Sequence, residues 1–534
     1  MAMLAPMETR YARSAMVASA DHVASAAGVG MLRAGGSAAD AAIAANAVLA
    51  VTWPQHCGPG GDLFAIVHVP GEEEPAVLNA SGRAGAGADP DRLRAEGETA
   101  MPRHGDVRAV TVPGCVDGWV ALHARFGRLE LSEVLDPARR LAADGFAASP
   151  GLMRAAGEMP LDVDDAAPSG GVRRGRESSG TETDPSALDE VAALRALRAA
   201  GTVVRRPGIA RALEAIVRDG RDGFYAGPFG AALLALGNEF AAADLERPGA
   251  DWVAPLGLRV WGRQAWTVPP NSQGYLTLAS AWIAEGLDLY EPGDARWAHG
   301  LIEASKAARS DRDTLLHEGA DGRALLAAPR LAEQRARVDP ARASELVRLR
   351  GDGGTVGLAA VDPEGMGVAL IQSNFSGWGS GRFAEGIALH NRGAAFSLQE
   401  GALTEYGPGR RPPHTLSPLI VCRPDGSLHT VVATMGGQAQ PQILLQLLAR
   451  RLRAGQTPAD ALAAGRWTLD GDAVAVEAHA PTDWFAGLPA RGHRLRPRPS
   501  WGGDFGHAHL IAVEDDHLAG AADPRTGSGS ASGF

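Results

Sequence analysis

The sequence has almost no lysine and no strong positive charge, and both shortages narrow the possible functions. Of its 51 basic residues only Lys306 is a lysine, so a mechanism that needs several lysines is excluded. The formal net charge of -11 argues against a general binder of nucleic acid or of anionic membranes. With 534 residues, 45% of them hydrophobic, the chain is long enough to fold around a large core.

Cysteines and long hydrophobic runs are also scarce. Cys57, Cys115 and Cys422 are far apart, odd in number and without the spacing of metal ligands, which favours a reducing compartment. Residues 1–20 carry scattered arginines and no continuous apolar stretch, so we predict neither a secretory signal nor a membrane span. We therefore expect a cytoplasmic protein that needs no metal or other cofactor.

The sequence does contain a clear hairpin pattern around Thr355. Apolar and small residues alternate up to a turn at Pro363-Glu364-Gly365, and a second apolar strand follows. If Glu364 is the centre of the turn, Thr355 and Ser373 face each other and place two hydroxyls side by side. Gly353 and Gly354 would allow the unusual backbone that a strained scissile bond needs. Alone, this window favours an ordinary core hairpin.

Three further stretches carry structural signals. Ser37 with Asp40 three residues later predicts the start of an Ala-rich helix that ends near Val51. A helix is predicted from His299 to Arg312, and on it Glu303 and Lys306 form a pair that we interpret as supporting the helix surface rather than catalysis. Residues 155–190 are polar and are interpreted as a surface excursion.

Short motifs run along nearly the whole chain, and their number and order are more specific than any one of them. They are Gly35-Gly36-Ser37-Ala38-Ala39-Asp40, Gly58-Pro59-Gly60-Gly61, Val112-Pro113-Gly114, Gly223-Phe224-Tyr225-Ala226-Gly227, Thr355 to Asp362, Arg411-Pro412, Ser417-Pro418, Gly436-Gly437 and Asp523-Pro524-Arg525. In this order they resemble the γ-glutamyltransferase family of N-terminal-nucleophile hydrolases.

The resemblance implies an α+β fold, the four-layer αββα sandwich, made as an inactive precursor. Self-cleavage between Gly354 and Thr355 would give a large subunit, 1–354, and a small catalytic subunit, 355–534, which together form one unit. Thr355 would be the nucleophile and its new α-amine the base. Ser373 would be the second hydroxyl, and the backbone of Gly436 and Gly437 would hold the oxyanion. The expected partners are these two fragments, with a homodimer of processed pairs as a further assembly.

The expected substrate pocket departs from the family. Arg83 is present without its surrounding motif, and Ala395 stands where a carboxylate would hold an ammonium group. Arg392 replaces a glutamine, and His414-Thr415 replaces two serines. Losing an anion and gaining a cation disfavours an ammonium-bearing ligand. We therefore predict that Arg83, Arg392, His414 and Thr415 bind a small-molecule carboxylate.

These changes resemble an oxamate-hydrolase-like branch of the family and predict hydrolysis of an acyl bond beside a carboxylate. Three alternatives stay open. One is hydrolysis of a C–C bond that removes an oxalyl-like group in a biosynthetic pathway, since it needs the same nucleophile and oxyanion site. Another is true γ-glutamyl transfer or hydrolysis. The last is a catalytically silent binding protein, against which the retention of Thr355, Gly436 and Gly437 argues.

Overall fold

The computed structural model describes residues 8–159, 185–345 and 353–534. Most of the polar segment predicted as a surface excursion therefore lies outside the described residues. The described strands are β1 (Arg10–Ala12), β2 (Met16–Ser19), β3 (Asp62–His68), β4 (Ala76–Ala80), β5 (Phe146–Ala147), β6 (Val203–Val204), β7 (Asp251–Val253), β8 (Leu256–Val260), β9 (Arg263–Thr267), β10 (Gly354–Val361), β11 (Gly367–Phe375), β12 (Phe383–Ala384), β13 (Ile387–Ala388), β14 (Leu419–Cys422), β15 (Leu428–Thr434), β16 (Trp467–Asp470), β17 (Ala473–Glu477), β18 (Leu495–Arg498), β19 (Ala508–Val513), β20 (Leu518–Ala522) and β21 (Ser530–Gly533).

The helices lie mostly between these strands in the sequence and cover the sheets. They are α1 (His22–Arg33), α2 (Ala38–Thr52), α3 (Pro90–Ala95), α4 (Cys115–Phe126), α5 (Leu131–Asp144), α6 (Pro150–Gly157), α7 (Pro185–Arg195), α8 (Pro207–Asp219), α9 (Arg221–Tyr225), α10 (Pro228–Ala235), α11 (Ala242–Glu246), α12 (Tyr275–Glu285), α13 (Ala295–Arg309), α14 (Arg312–Leu315), α15 (Gly322–Leu325), α16 (Ala328–Ala336), α17 (Gln440–Leu448), α18 (Pro458–Ala463) and α19 (Thr482–Ala490).

Two seven-stranded sheets form the centre of the molecule. One has the strand order β21-β2-β10-β11-β3-β4-β7, and the other has the order β1-β20-β19-β15-β14-β9-β8. The hairpin of β10 and β11 is central in the first sheet, with β2 on one side and β3 on the other. Both faces of this hairpin are buried, which explains why its strands are apolar almost throughout rather than alternating.

Three apolar clusters define the four layers. The cluster between the two sheets includes Phe64, Ile371 and Ile511, all fully buried. A second cluster joins the outer face of the first sheet to α1, α2, α4, α5 and α8, and a third joins the other sheet to α12, α13 and α17. The expected α+β sandwich with αββα layers is thus confirmed.

Local sequence signals predicted the start of α2 correctly but placed the start of α13 too late. Ser37 caps α2 with the full reciprocal capping box, as predicted from Asp40. The predicted helix from His299 begins earlier, at Ala295, because Asp294 caps it by accepting a hydrogen bond from Arg296 N. Within the described part of the chain no helix is long and apolar enough to cross a membrane.

One prediction about this helix is wrong. Glu303 and Lys306 pair at 2.7 Å, but they are not on the surface, since their side chains are 1% and 8% exposed. The irregular segment 339–345 covers them, with Ser344 N donating to Glu303 and Lys306 donating to Ser344 O. Spacing along a helix shows that two residues are neighbours and does not show what packs over them.

Candidate active site

The hairpin places Thr355 directly opposite Ser373, as the symmetry of the turn predicted. The two hydroxyl oxygens are 2.9 Å apart and both residues are buried. Ser373 Oγ also donates to Gly354 O at 2.6 Å and accepts from Phe375 N at 2.8 Å. Because the single proton of Ser373 is used on Gly354 O, the Thr355 hydroxyl donates to Ser373 and keeps its lone pairs free.

The peptide bond before Thr355 is held by close backbone contacts. A side-chain carbon at Gly353 would lie 2.7 Å from Gly437 N, and one at Gly354 would lie 2.8 Å from Ser376 O. Gly354 is not in the left-handed region that the sequence argument invoked. Glycine is needed at these positions because other backbone approaches closely: Gly353 lies against Gly437, and Gly354 lies against Ser376.

Gly436 and Gly437 form the turn after β15, with φ values of 137° and 53°. Glycine adopts this left-handed backbone readily, whereas other residues are strained in it. Gln273 Nε2 donates to Gly437 O at 3.0 Å and fixes the orientation of the turn. The oxygen of the same amide accepts from Arg312 Nε at 3.1 Å. The turn therefore holds the backbone nitrogen of Gly437 beside Gly353 in a fixed position.

Arg392 is a buried cation next to this centre. Its guanidinium lies 4.0 Å above the ring of Phe375, and Nη2 donates to Thr415 Oγ1 at 3.2 Å. Nε and Nη1 are buried and have no hydrogen-bond partner among the described residues. Burial lowers the pKa of Arg392 to about 9, despite the attraction of Asp62. A guanidinium with two unused donors is a ready site for a carboxylate.

His414 is used within the protein rather than turned toward a ligand. Its Nε2 is 3.1 Å from Asp62 Oδ2, and its Nδ1 accepts from Leu416 N at 3.3 Å. Burial and the neighbouring Arg392 lower its pKa to about 3, so the imidazole is neutral. Both ring nitrogens thus have partners within the protein, and neither is free for the predicted contact between His414 and the carboxylate. Thr415, by contrast, does lie at Arg392.

Asp62 organises this side of the site. Its strand position is opposite Ser373, and its carboxylate accepts from Gly82 N at 2.9 Å as well as from His414. Burial alone would raise the pKa of Asp62, but His390, His414 and Arg392 together hold it well below its usual range. The resulting fixed negative charge holds Arg392 in place.

The side chain of Arg83 is bound to residues outside the site formed around Thr355 and Arg392. Nη1 donates to Glu318 at 3.0 Å and to Gly409 O at 2.9 Å, and Nη2 lies 3.8 Å from Asp251. Among the described residues, no hydrogen bond or ion pair joins its side chain to Arg392 or to the hairpin. The structure thus gathers Thr355, Ser373, Gly436, Gly437, Arg392 and Thr415, and it places Arg83 in a separate ion-pair cluster.

Sequence reasoning missed Asp62, Gln273, Arg312 and Phe375 as parts of this site. Asp62 directly follows the motif Gly58-Pro59-Gly60-Gly61, which was a usable signal. Phe375 follows Ser373 by two residues and has a φ of 73°, which is unusual for a side chain of this size. The role of Gln273 could not be predicted locally, because it depends on a contact with the distant Gly437, and that of Arg312 depends in turn on its contact with Gln273.

A cavity of about 650 Å³ opens beside Gly353 and Gly436. Trp53 and Trp501 line it together with charged groups that include Arg154. The cavity borders the site at these two glycines, whereas Thr355, Arg392 and Thr415 do not line it. The mixture of aromatic and charged walls is typical of a site for a small polar molecule.

The chain has extensive similarity to known proteins. The sequence model described as gamma-glutamyltranspeptidase matches residues 24–533. The oxamate amidohydrolase proenzyme of Klebsiella pneumoniae subsp. pneumoniae is 33% identical over 538 residues, covering 97% of this chain and 98% of that protein. The glutathione hydrolase-like YwrD proenzyme of Bacillus subtilis is 31% identical, with the same coverage. The crystal structure of cephalosporin acylase from Bacillus halodurans superposes with a TM-score of 0.90 at 30% identity, covering 100% of this chain and 98% of that one.

Proposed function

The chain belongs to the gamma-glutamyltranspeptidase family of N-terminal-nucleophile hydrolases, and within this family we propose that it is a self-processing amidohydrolase whose nucleophile is Thr355. Its substrate is a small molecule with a carboxylate next to the scissile amide. The observation that carries the proposal is the 2.9 Å contact of the Thr355 and Ser373 hydroxyls, with Ser373 donating to Gly354 O at 2.6 Å.

Self-cleavage follows from these contacts. Thr355 Oγ1 attacks the Gly354 carbonyl carbon, while the hydrogen bond from Ser373 supports the negative charge that develops on Gly354 O. The C–N bond breaks, the Thr355 nitrogen takes up the proton that the attacking hydroxyl releases, and water hydrolyses the resulting ester. The products are the Gly354 carboxylate and Thr355 with a free α-amine. A free α-amine has a pKa near ~8, so it can act as the general base for its own hydroxyl.

The fragments 1–354 and 355–534 are proposed to remain one unit after cleavage. In the first sheet, β2 and β3 of the large fragment flank the hairpin of the small fragment. In the second sheet, β1 pairs with β20 and β9 pairs with β14, again across the two fragments. Separation would break both sheets, so we expect the fragments to copurify.

Arg392 supports a carboxylate on the acyl part of the substrate. The bound anion would occupy the free Nε and Nη1 donors, and it would offset the cost of burying the guanidinium. Oxamate fits this chemistry, because its amide carbonyl is bonded directly to a carboxylate. No carboxylate side chain stands at Ala395 to hold the ammonium of a γ-glutamyl group.

A comparison of substrates tests this proposal. We expect ammonia release from oxamate and from mono-amides of small dicarboxylic acids, and little release of aniline from a γ-glutamyl anilide. A higher kcat/KM for the anilide would contradict the carboxylate site and would favour the γ-glutamyl alternative. Failure on every substrate by a chain that also stays uncleaved would favour the catalytically silent homologue.

Replacing Ser373 by alanine should slow both self-cleavage and turnover. The change removes the group that positions the Thr355 proton and the donor to Gly354 O, and we expect a loss of about 100-fold in each rate. A time course of fragment formation on a denaturing gel measures the first rate. Ser19→Ala is the matched control, because this serine is also buried and lies on the adjacent β2, where it bonds Ser25 at 2.7 Å. Equal rates in both variants would remove Ser373 from the mechanism.

The pH dependence of kcat/KM should be bell-shaped. Activity rises as the Thr355 amine loses its proton near pH ~8. It falls again as pH rises through about 9, because the Arg392 guanidinium, whose pKa burial lowers, loses its charge and no longer binds the anion. The variant Arg392→Gln should lose the fall in kcat/KM at alkaline pH and should keep the rise at lower pH. An unchanged alkaline limb in that variant would assign it to another group.

We also propose that the protein works in a reducing compartment. Cys57, Cys115 and Cys422 are buried and unpaired, which supports a reducing environment such as the cytoplasm.

A further inference from the structure

A second cluster of reactive side chains lies outside the hairpin site. His299 and Glu303 are one helical turn apart on α13, and His493 reaches them from the loop before β18. All three are buried, and one ligand atom from each lies within 4.8 Å of the others. Within the described ranges this is the only such group of three.

Each ligand on α13 is held by a contact on its far side. His299 Nε2 lies 2.9 Å from Asp339 O, so its N–H donates to that carbonyl and Nδ1 carries the lone pair that faces the cluster. Glu303 Oε2 accepts from Ser344 N at 2.9 Å and leaves Oε1 facing inward. Outer contacts of this kind fix the tautomer and orientation of metal ligands.

His493 completes the cluster and has an unsatisfied atom. Its Nε2 is 2.8 Å from His299 Nδ1 and 3.9 Å from Glu303 Oε1. Since His299 Nδ1 is an acceptor, the proton between the two rings belongs to His493 Nε2. The other nitrogen, Nδ1, is buried and has no partner among the described residues. Moving the proton to Nδ1 frees the Nε2 lone pair, so that each of the three residues offers one lone pair and the three ligand atoms lie within 4.8 Å of one another.

We propose that His299, Glu303 and His493 bind a divalent ion of the zinc class. Two imidazoles and one carboxylate are a ligand set that suits Zn²⁺, which accepts nitrogen and oxygen ligands in four-coordinate sites, and water can supply the fourth ligand. A cavity of about 190 Å³ borders Glu303 and Ser344 and provides a route from solvent. The ion would fasten the segment of Asp339 and Ser344 to α13.

The ammonium of Lys306 would compete with a bound ion for Glu303, which gives the proposal a specific test. This ammonium lies 2.7 Å from Glu303 Oε1 and 2.9 Å from Ser344 O. An ion at the cluster would share Glu303 Oε1 with the Lys306 ammonium, so the two positive charges would repel each other. Removing the ammonium should therefore strengthen ion binding, whereas removing any of the three ligands should weaken it. A cluster with a purely structural role predicts no ion affinity in either case.

Titration of the full chain tests the site. The protein is stripped with a chelator and titrated with Co²⁺, whose visible absorption reports a four-coordinate environment, and then with Zn²⁺ in competition. We expect one ion per chain. His299→Gln and His493→Gln should each weaken binding at least about tenfold, and Lys306→Met should tighten it at least about threefold by removing a nearby like charge. His22→Gln is the matched control, because that histidine is 73% exposed.

The outcomes are distinct. Stoichiometric binding that is lost in the two histidine variants and kept in His22→Gln supports the site. No binding by the wild-type chain, or binding unchanged by the histidine variants, overturns it. If those variants do not fold, as judged by thermal unfolding without metal, Lys306→Met decides: unchanged or weaker binding overturns the proposal. None of these readouts depends on cleavage or catalysis at Thr355.

Discussion

A Thr355→Ala protein should remain a single chain of 534 residues and should have no measurable amidase activity. The variant lacks the oxygen that attacks the Gly354 carbonyl, so no new N-terminus forms. Loss of the nucleophile should reduce turnover by at least about 10⁴-fold. A denaturing gel shows the first effect, and a continuous assay of ammonia release shows the second.

Thr355→Ser is the matched variant for this prediction. It keeps a hydroxyl that can bond Ser373, and we expect it to be cleaved and to keep activity, although at a lower rate. A Thr355→Ala chain that is cleaved like the wild type would show that another residue attacks Gly354. An intact variant that still hydrolyses substrate would show that cleavage and catalysis use different groups.

The second large effect is expected for Arg392→Gln. The substitution removes the buried charge that faces the substrate carboxylate and should cost about 2 kcal/mol of transition-state binding, or about thirtyfold in kcat/KM. The loss should appear mainly in KM, because the carboxylate is bound before and during the reaction. For a substrate analogue in which the carboxylate is replaced by an uncharged amide, Arg392→Gln should change kcat/KM by less than about threefold.

Two other arginines sharpen this experiment. Arg125→Gln is the control, because this exposed arginine also lies over an aromatic ring, 4.4 Å from that of Trp252, but on the outer helical layer. Arg83→Gln tests the remaining sequence prediction. Since Arg83 is paired with Glu318, we expect Arg83→Gln to lower kcat/KM less than Arg392→Gln does. An equal effect on kcat/KM would place both arginines at the carboxylate.

The sequence was sufficient to predict those features that depend on local geometry. The pairing of Thr355 with Ser373 follows from one turn, because each strand advances by a fixed distance per residue. The capped start of α2 follows from Ser37 and Asp40 in the same way. The layered fold was predicted through the resemblance of many ordered motifs, and the central hairpin alone did not distinguish it from an ordinary core.

The remaining features depend on contacts between distant parts of the chain. Asp62 and His414 are 352 positions apart, so the sequence could not show that the histidine is already engaged. The ion pair of Arg83 could not be predicted for a similar reason, since its partner Glu318 is 235 positions away. The burial of Glu303 depends on the segment that packs over α13. Spacing predicts neighbours on one element, and only the folded chain shows what covers them.

The most direct test of the account is the N-terminal sequence of the smaller fragment of the purified wild-type protein. We predict two fragments, with the smaller one beginning Thr-Val-Gly-Leu at Thr355. Its mass should match residues 355–534 without modification. A single uncleaved chain that hydrolyses the substrate, or a fragment that begins at another residue, would contradict the claim that Thr355 is a self-generated N-terminal nucleophile.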